Sequence, residues 1–293
     1  MNKKAVLPTI LRPALFVCVG AATILQTLAV LFSYTGSSNY FDKGAILPTL
    51  SAILVVVGMI CGTVAACMTD PKALSASPFS ERDSFPISAV GFILTAILLP
   101  LHAPEARMTL TVFSSGLLIL AALYSLLSSR TDFRRQHEGL LAFLGMASVV
   151  GCILAAAYFY FDVTVEMNAP LKVAVQIGLV SAMLSYTGEI RYLLGKPMPR
   201  VYLTVASWTI AIGSLASLAV PIACFTQKLP RVDYAGGAVL VLCLALTQIL
   251  RIKTLLTPPA EDTASKTNDT EDNDSREPND TDGTPDEDGK DLT

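Results

Sequence analysis

Eight apolar runs of 15 to 24 residues constrain this chain more than any other feature. They cover about 14–32, 46–68, 87–101, 108–128, 139–161, 172–194, 202–225 and 236–256. A helix of roughly 20 residues crosses about 30 Å of hydrocarbon. Lipid offers the backbone no hydrogen-bonding partner, and the runs lack the alternation of barrel strands, so each must be a helix. Composition agrees: charged residues make up 15% of the chain, against about 25% in a soluble domain. The expected fold is an all-α integral membrane bundle of about eight transmembrane helices. It fills residues 1–256 and is followed by a disordered acidic tail over 257–293. The third run is the shortest and carries Pro100 near its end; a helix starting at Asp83 or Ser84 would give it full length.

The net charge of −3 conceals two opposite regions. Residues 1–259 hold 18 Lys and Arg against 11 Asp and Glu, whereas 260–293 hold 3 against 13. The tail has too few apolar residues to offset the entropy of ordering, so it is expected to be solvated, with docking to a basic protein partner as the other reading. Within 1–259, placing the N-terminus in the cytoplasm puts 13 Lys and Arg on inner segments and 5 on outer ones. Positive charge favours the cytoplasmic side, so both termini are expected there, in the cell membrane. The first run is longer than a signal-peptide core and ends at Leu31-Phe32-Ser33-Tyr34, a poor cleavage site, so it reads as a retained span.

Aromatic residues flank two outer boundaries: Phe32, Tyr34, Tyr40 and Phe41 at one, and 158–161 (Tyr-Phe-Tyr-Phe) at the other. They read as an interfacial belt. Gly58, Gly62 and Ala66 share one face of the second span, while Ala206, Gly213, Ser214 and Ser217 stud the seventh. Small residues let membrane helices approach closely, so both spans are expected in the bundle interior. Tyr40-Phe41-Asp42 recurs as Tyr160-Phe161-Asp162, and 116–130 resembles 237–251 at nearly the same offset. Two four-helix repeats in one orientation would produce both correspondences, although the third and seventh spans match poorly.

Chemistry has few candidates. The six cysteines all lie in apolar runs, with no paired spacing that suggests zinc or a disulfide framework. The two histidines, His102 and His137, fall on opposite sides, which disfavours a shared metal or haem. Ser114-Ser115-Gly116 lacks a histidine on its span, and neither HExxH nor GxxxxGK[ST] occurs. No catalytic residue, metal site or cofactor is expected, and no nucleic-acid partner. The bilayer is the one partner that composition demands; a small-molecule ligand is left unspecified.

Glu189 is the one carboxylate inside an apolar run rather than at its edge. Ser181, Ser185 and Glu189 are spaced four apart, and Tyr192 follows three later, so all four share one helical stripe. Gln176 points to another face. Two readings stand. A membrane carboxylate marks a transport or binding path by default, because ionising it in hydrocarbon is costly. Yet Glu189 lies only about a turn inside the cytoplasmic end, where it can pair with Arg130, Arg134 or another inner arginine as a structural ion pair. Depth favours the second reading. Arg191, two residues on, faces elsewhere and is not its obvious partner.

The run from Tyr186-Thr187-Gly188-Glu189-Ile190-Arg191-Tyr192 through Leu193-Leu194-Gly195-Lys196-Pro197-Met198-Pro199-Arg200 resembles a Tyr-x-x-Glu-x-Arg-Phe/Tyr-x-Leu-Gly pattern. That pattern belongs to a group of uncharacterised multi-span bacterial proteins, mostly of clostridial type. Their aromatic and Gly-bearing outer loop after the first helix is similar to Thr35–Gly44 here. The resemblance implies an eight-span bacterial protein and brings no activity with it. Two functions therefore fit: a non-enzymatic, partner-binding or accessory membrane component, or a small-molecule or ion transporter working along the sixth span's polar face. A water-accessible cavity reaching Ser181 and Ser185 would favour transport; a closed bundle would favour the accessory role.

Overall fold

The computed structural model describes residues 3–71, 74–75, 77–79, 86–103 and 105–257. The described residues are helical almost throughout: α1 (Lys3–Ser33), α2 (Ile46–Met68), α3 (Ile87–Leu98), α4 (Met108–Ser128), α5 (Thr131–Gln136), α6 (Glu138–Tyr160), α7 (Pro170–Leu193), α8 (Pro199–Ala216), α9 (Ala219–Phe225) and α10 (Val232–Leu256). Among the described residues seven helical stretches are long and apolar enough to cross a membrane, with α8 and α9 together counting as one, and Ile87–His102 is a shorter apolar helix. The protein is therefore an all-α, multi-pass membrane bundle. The acidic tail and the expected helix start at Asp83 or Ser84 lie outside the described residues.

Local sequence explains the interruptions. After α3 the chain tightens into a 3-10 turn over Leu99–His102, with Pro100 in its first turn. The break between α8 and α9 precedes Pro221, which lacks an N–H and whose ring would collide with the Ser217 carbonyl in a continuous helix. α7 stops at Gly195, whose φ of +67° is a left-handed backbone that glycine adopts freely. There the Lys196 amide donates to the Arg191 carbonyl at 2.9 Å and the Gly195 amide to Tyr192 at 3.2 Å, closing the helix as a Schellman cap. Between α1 and α2 a short antiparallel hairpin, β1 (Tyr34–Thr35) with β2 (Tyr40–Phe41), pairs Tyr34 with Phe41.

The helices pack in a chain of neighbours: α1 on α2, α2 on α8, α8 on α7 and α10, α10 on α3, α3 on α4, α4 on α6 and α6 on α7. The main core gathers side chains of α3, α4, α6, α7, α9 and α10. Polar side chains join helices across it: Ser88 to Ser125 at 3.0 Å, Ser51 to Gln26 at 2.9 Å, and Trp208 Nε1 to Thr63 at 2.9 Å. Such bonds hold membrane helices together where lipid removes the hydrophobic drive.

The expectation for the two small-residue spans is met in one of them. The window over α8 and α9 is 67% buried, but that of α2 is only 33%. α2 lies at the periphery and packs with one face: a Cβ on Gly62 would sit 2.5 Å from the Ser207 Cβ of α8. The aromatic belt is also revised. Tyr34, Tyr158 and Phe159 are core residues, while Phe32, Tyr160 and Phe161 are exposed. A hydropathy reading sees rings near a boundary but not the Asp233 carboxylate to which the Tyr158 hydroxyl donates, or the Tyr234 ring on which Phe159 packs.

Candidate functional site

Two buried polar clusters lie in the bundle. The first surrounds Glu189, one turn before α7 ends. Glu189 is fully buried, and helices α4, α8 and α10 each supply a partner. Tyr124 donates its hydroxyl to Oε2 at 3.2 Å. Gln248 donates Nε2 to Oε1 at 3.0 Å, and the Arg251 Nε stands 3.6 Å from the same oxygen. Tyr202 donates to the Gln248 Oε1 at 2.9 Å and lies 3.5 Å from Glu189 Oε1. The Arg251 guanidinium stacks over the Phe79 ring at 4.3 Å, a contact that stabilises a desolvated cation. Four transmembrane helices thus meet at one carboxylate, with both oxygens engaged and a counter-charge beside it.

The stripe read from the sequence is real in geometry but closed. Ser181 and Ser185 are buried. The Ser181 hydroxyl donates to the Gly178 carbonyl at 2.8 Å, and Ser185 shares a hydrogen bond with Thr209 at 2.7 Å. Tyr192 packs edge-on against Tyr202, with ring centroids 5.5 Å apart, and its hydroxyl has no hydrogen-bond partner. Arg191 is exposed and donates to the Lys196 carbonyl at 3.3 Å, away from Glu189. The arginine at Glu189 is Arg251, near the end of α10. Tyr124, Tyr202 and Gln248 carried no signal as partners, because each sits on a different helix and two of them lie about 60 residues away in the chain.

The second cluster closes the other end of the bundle and was not expected. Asp162, in the α6–α7 loop, and Asp233, in the first turn of α10, are both buried. Arg231 grips Asp233 with Nε at 3.0 Å and Nη2 at 2.6 Å, and reaches Asp162 at 3.2 Å. Its Nη1 also contacts the Thr164 hydroxyl. Arg107 approaches Asp162 at 3.4 Å. The Tyr234 hydroxyl donates to Asp162 at 2.9 Å and that of Tyr158 to Asp233 at 3.0 Å. Lys172, at the start of α7, is buried and donates to the carbonyls of Asp162 and Val165 at 2.5 and 2.9 Å. Burial alone would raise the Asp162 pKa. Hydrogen bonds from the Thr164 hydroxyl and amide and from Tyr234, with the Arg231 charge, outweigh it and hold the carboxyl below its ordinary value. For Arg231, burial opposes the charge, but the paired aspartates dominate and raise its pKa.

In both clusters carboxylates meet arginines, tyrosines and an amide, although the buried Arg251 Nε, 3.6 Å from Glu189, makes no hydrogen bond. Among the described residues no group of three or more His, Cys, Asp and Glu side chains is placed to hold a metal ion. No family model, curated protein or solved structure matches the chain.

Proposed function

We propose that the protein is a non-enzymatic multi-pass component of the cell membrane, a rigid bundle that supports or binds a partner rather than moving a solute. The observation that carries this reading is the closed state of the sixth-span stripe. Glu189 has both oxygens engaged, the Ser181 hydroxyl bonds the Gly178 carbonyl of its own helix, and the Ser185 hydroxyl bonds Thr209 of α8. A proton or cation carrier needs a carboxylate that exchanges partners with water; this one joins four helices. Glu189 then acts as a structural ion pair with Arg251.

The reading includes eight crossings. The 3-10 turn extends α3 to Ile87–His102, 16 residues in all, which spans about 26 Å at 1.5 and 2.0 Å per residue. With eight crossings both termini share one side, and the inner excess of Lys and Arg makes that side cytoplasmic. A duplication into four-helix halves draws support from two pairs, since α1 packs on α2 as α6 does on α7, and α3 on α4 as α8 does on α10, whereas α7 packs on α8 and α2 does not pack extensively on α3. The acidic tail is the proposed contact for a basic protein partner. The clostridial-type membrane group remains the proposed family, on the Tyr186–Lys196 pattern.

Reconstitution into liposomes loaded with a pH- or potassium-sensitive dye tests the reading. Proteoliposomes should show no flux above protein-free vesicles. A flux that Glu189→Gln abolishes, while that variant melts like the wild type, establishes transport instead.

A further inference from the structure

A cavity of about 430 Å³ opens between α1 and α10 over the floor formed by α2 and α8. Both flanking helices pack on α8 but not extensively on each other, which leaves a crevice. Its walls are apolar, with Leu15, Phe16, Leu203, Ile249 and Ile252 among them. Phe16 is 41% exposed, on the surface of the bundle that hydrocarbon covers. The volume lies within the roughly 300–1,000 Å³ range of small-ligand sites.

One end of the crevice is polar and basic. Arg12 lines it and donates to the Thr69 hydroxyl at 2.8 Å. Lys253 and Thr257 of the α10 end also line it. Arg200 reaches the same corner, with Nε 3.4 Å from the Thr69 carbonyl. Arg12 and Arg200 therefore meet at Thr69, where α2 ends, and Lys253 lines the same cavity; Asp70 follows Thr69 in the chain. An apolar slot that opens to the acyl region and ends in a cationic corner complements an anionic amphiphile in both parts.

We propose that this crevice is a binding site for an acidic membrane phospholipid, with an acyl chain between α1 and α10 and the headgroup phosphate between Arg12 and Lys253. The proposal needs only that the bundle sits in a membrane and is independent of whether the protein transports a solute. A soluble anion would be held by the corner alone, whereas a phospholipid uses the slot as well.

Native mass spectrometry of the full-length protein in neutral detergent tests it, with phosphatidylglycerol, phosphatidylcholine of the same chains and inorganic phosphate as probes. Phosphatidylglycerol should be retained in preference to phosphatidylcholine. Arg12→Gln and Lys253→Gln should each weaken that retention about fivefold, as expected for one basic group near an anionic headgroup. Leu256→Trp, which crowds the half-buried wall without changing charge, should weaken both lipids together and keeps the test intact if Arg12→Gln fails to fold. Equal retention of the two lipids, a preference that survives the double charge substitution, or displacement of phosphatidylglycerol by inorganic phosphate would each overturn the proposal.

Discussion

Replacing Glu189 by Gln keeps the size of the side chain and removes its charge, so it isolates the ion pair at the four-helix junction. The Arg251 guanidinium would then remain over Phe79, its side chain 12% exposed, with no carboxylate at 3.6 Å. Breaking a buried pair by removing one partner costs about 3–5 kcal/mol. The hydrogen bond that the Tyr124 hydroxyl donates to the carboxylate is a smaller matter, since side-chain bonds between membrane helices average about 0.6 kcal/mol. The charge term should therefore dominate. Glu189→Gln should lower the melting temperature by on the order of 10 °C, and Tyr124→Phe by only about 2 °C. Removing both charges tells more. Glu189→Gln with Arg251→Leu leaves no orphaned ion and should recover most of the loss, because apolar replacement of a buried pair is often neutral or better. Melting in detergent or bicelles, run as a double-mutant cycle, measures the coupling. A neutral Glu189→Gln variant, or a double variant as damaged as the sum of its parts, would refute the structural role.

Two further substitutions probe the packing and the opposite end of the bundle. Gly62→Ala should cost about 1–3 kcal/mol by overpacking, since its Cβ would meet Ser207 at 2.5 Å, whereas Gly116→Ala, with nothing within 4 Å, should be neutral or stabilising; thermal melts of the pair check this. Asp162 has a folded pKa below its unfolded value of about 3.9. Its contribution to stability is therefore complete above that value and is lost as the pH falls through the lower folded one. Asp162→Asn should melt lower than the wild type near neutral pH, and the gap should narrow in acid; a constant gap would contradict the assignment.

The fold was legible because hydropathy reports local burial in lipid. The spans at 46–68 and 108–128 coincide with α2 and α4 to the residue. The start of α10 was placed four residues late, at Gly236 rather than Val232, because Asp233 and Tyr234 are polar. Their burial depends on Tyr158 and Asp162, more than 70 residues earlier, and no local window contains those partners. The same limit applies at Glu189. Its stripe with Ser181 and Ser185 followed from helical period, and its depth pointed to an inner arginine. That the arginine is Arg251, and that Tyr124 and Gln248 complete the set, depends on how α4, α7 and α10 meet. Arg251 lies near a span end, where the charge count takes it as one of the 13 inner basic residues, yet it faces Glu189 in the bundle.

The central claim is that no aqueous path reaches the polar stripe of α7. Ser185→Cys in a cysteine-free background, treated in intact membranes with a small cationic thiosulfonate, tests it most directly. Ser185 is fully buried and hydrogen-bonded to Thr209, so the introduced thiol should stay unmodified until the protein is denatured. Rapid modification in the native membrane would contradict the closed bundle and restore α7 as the lining of a transport route.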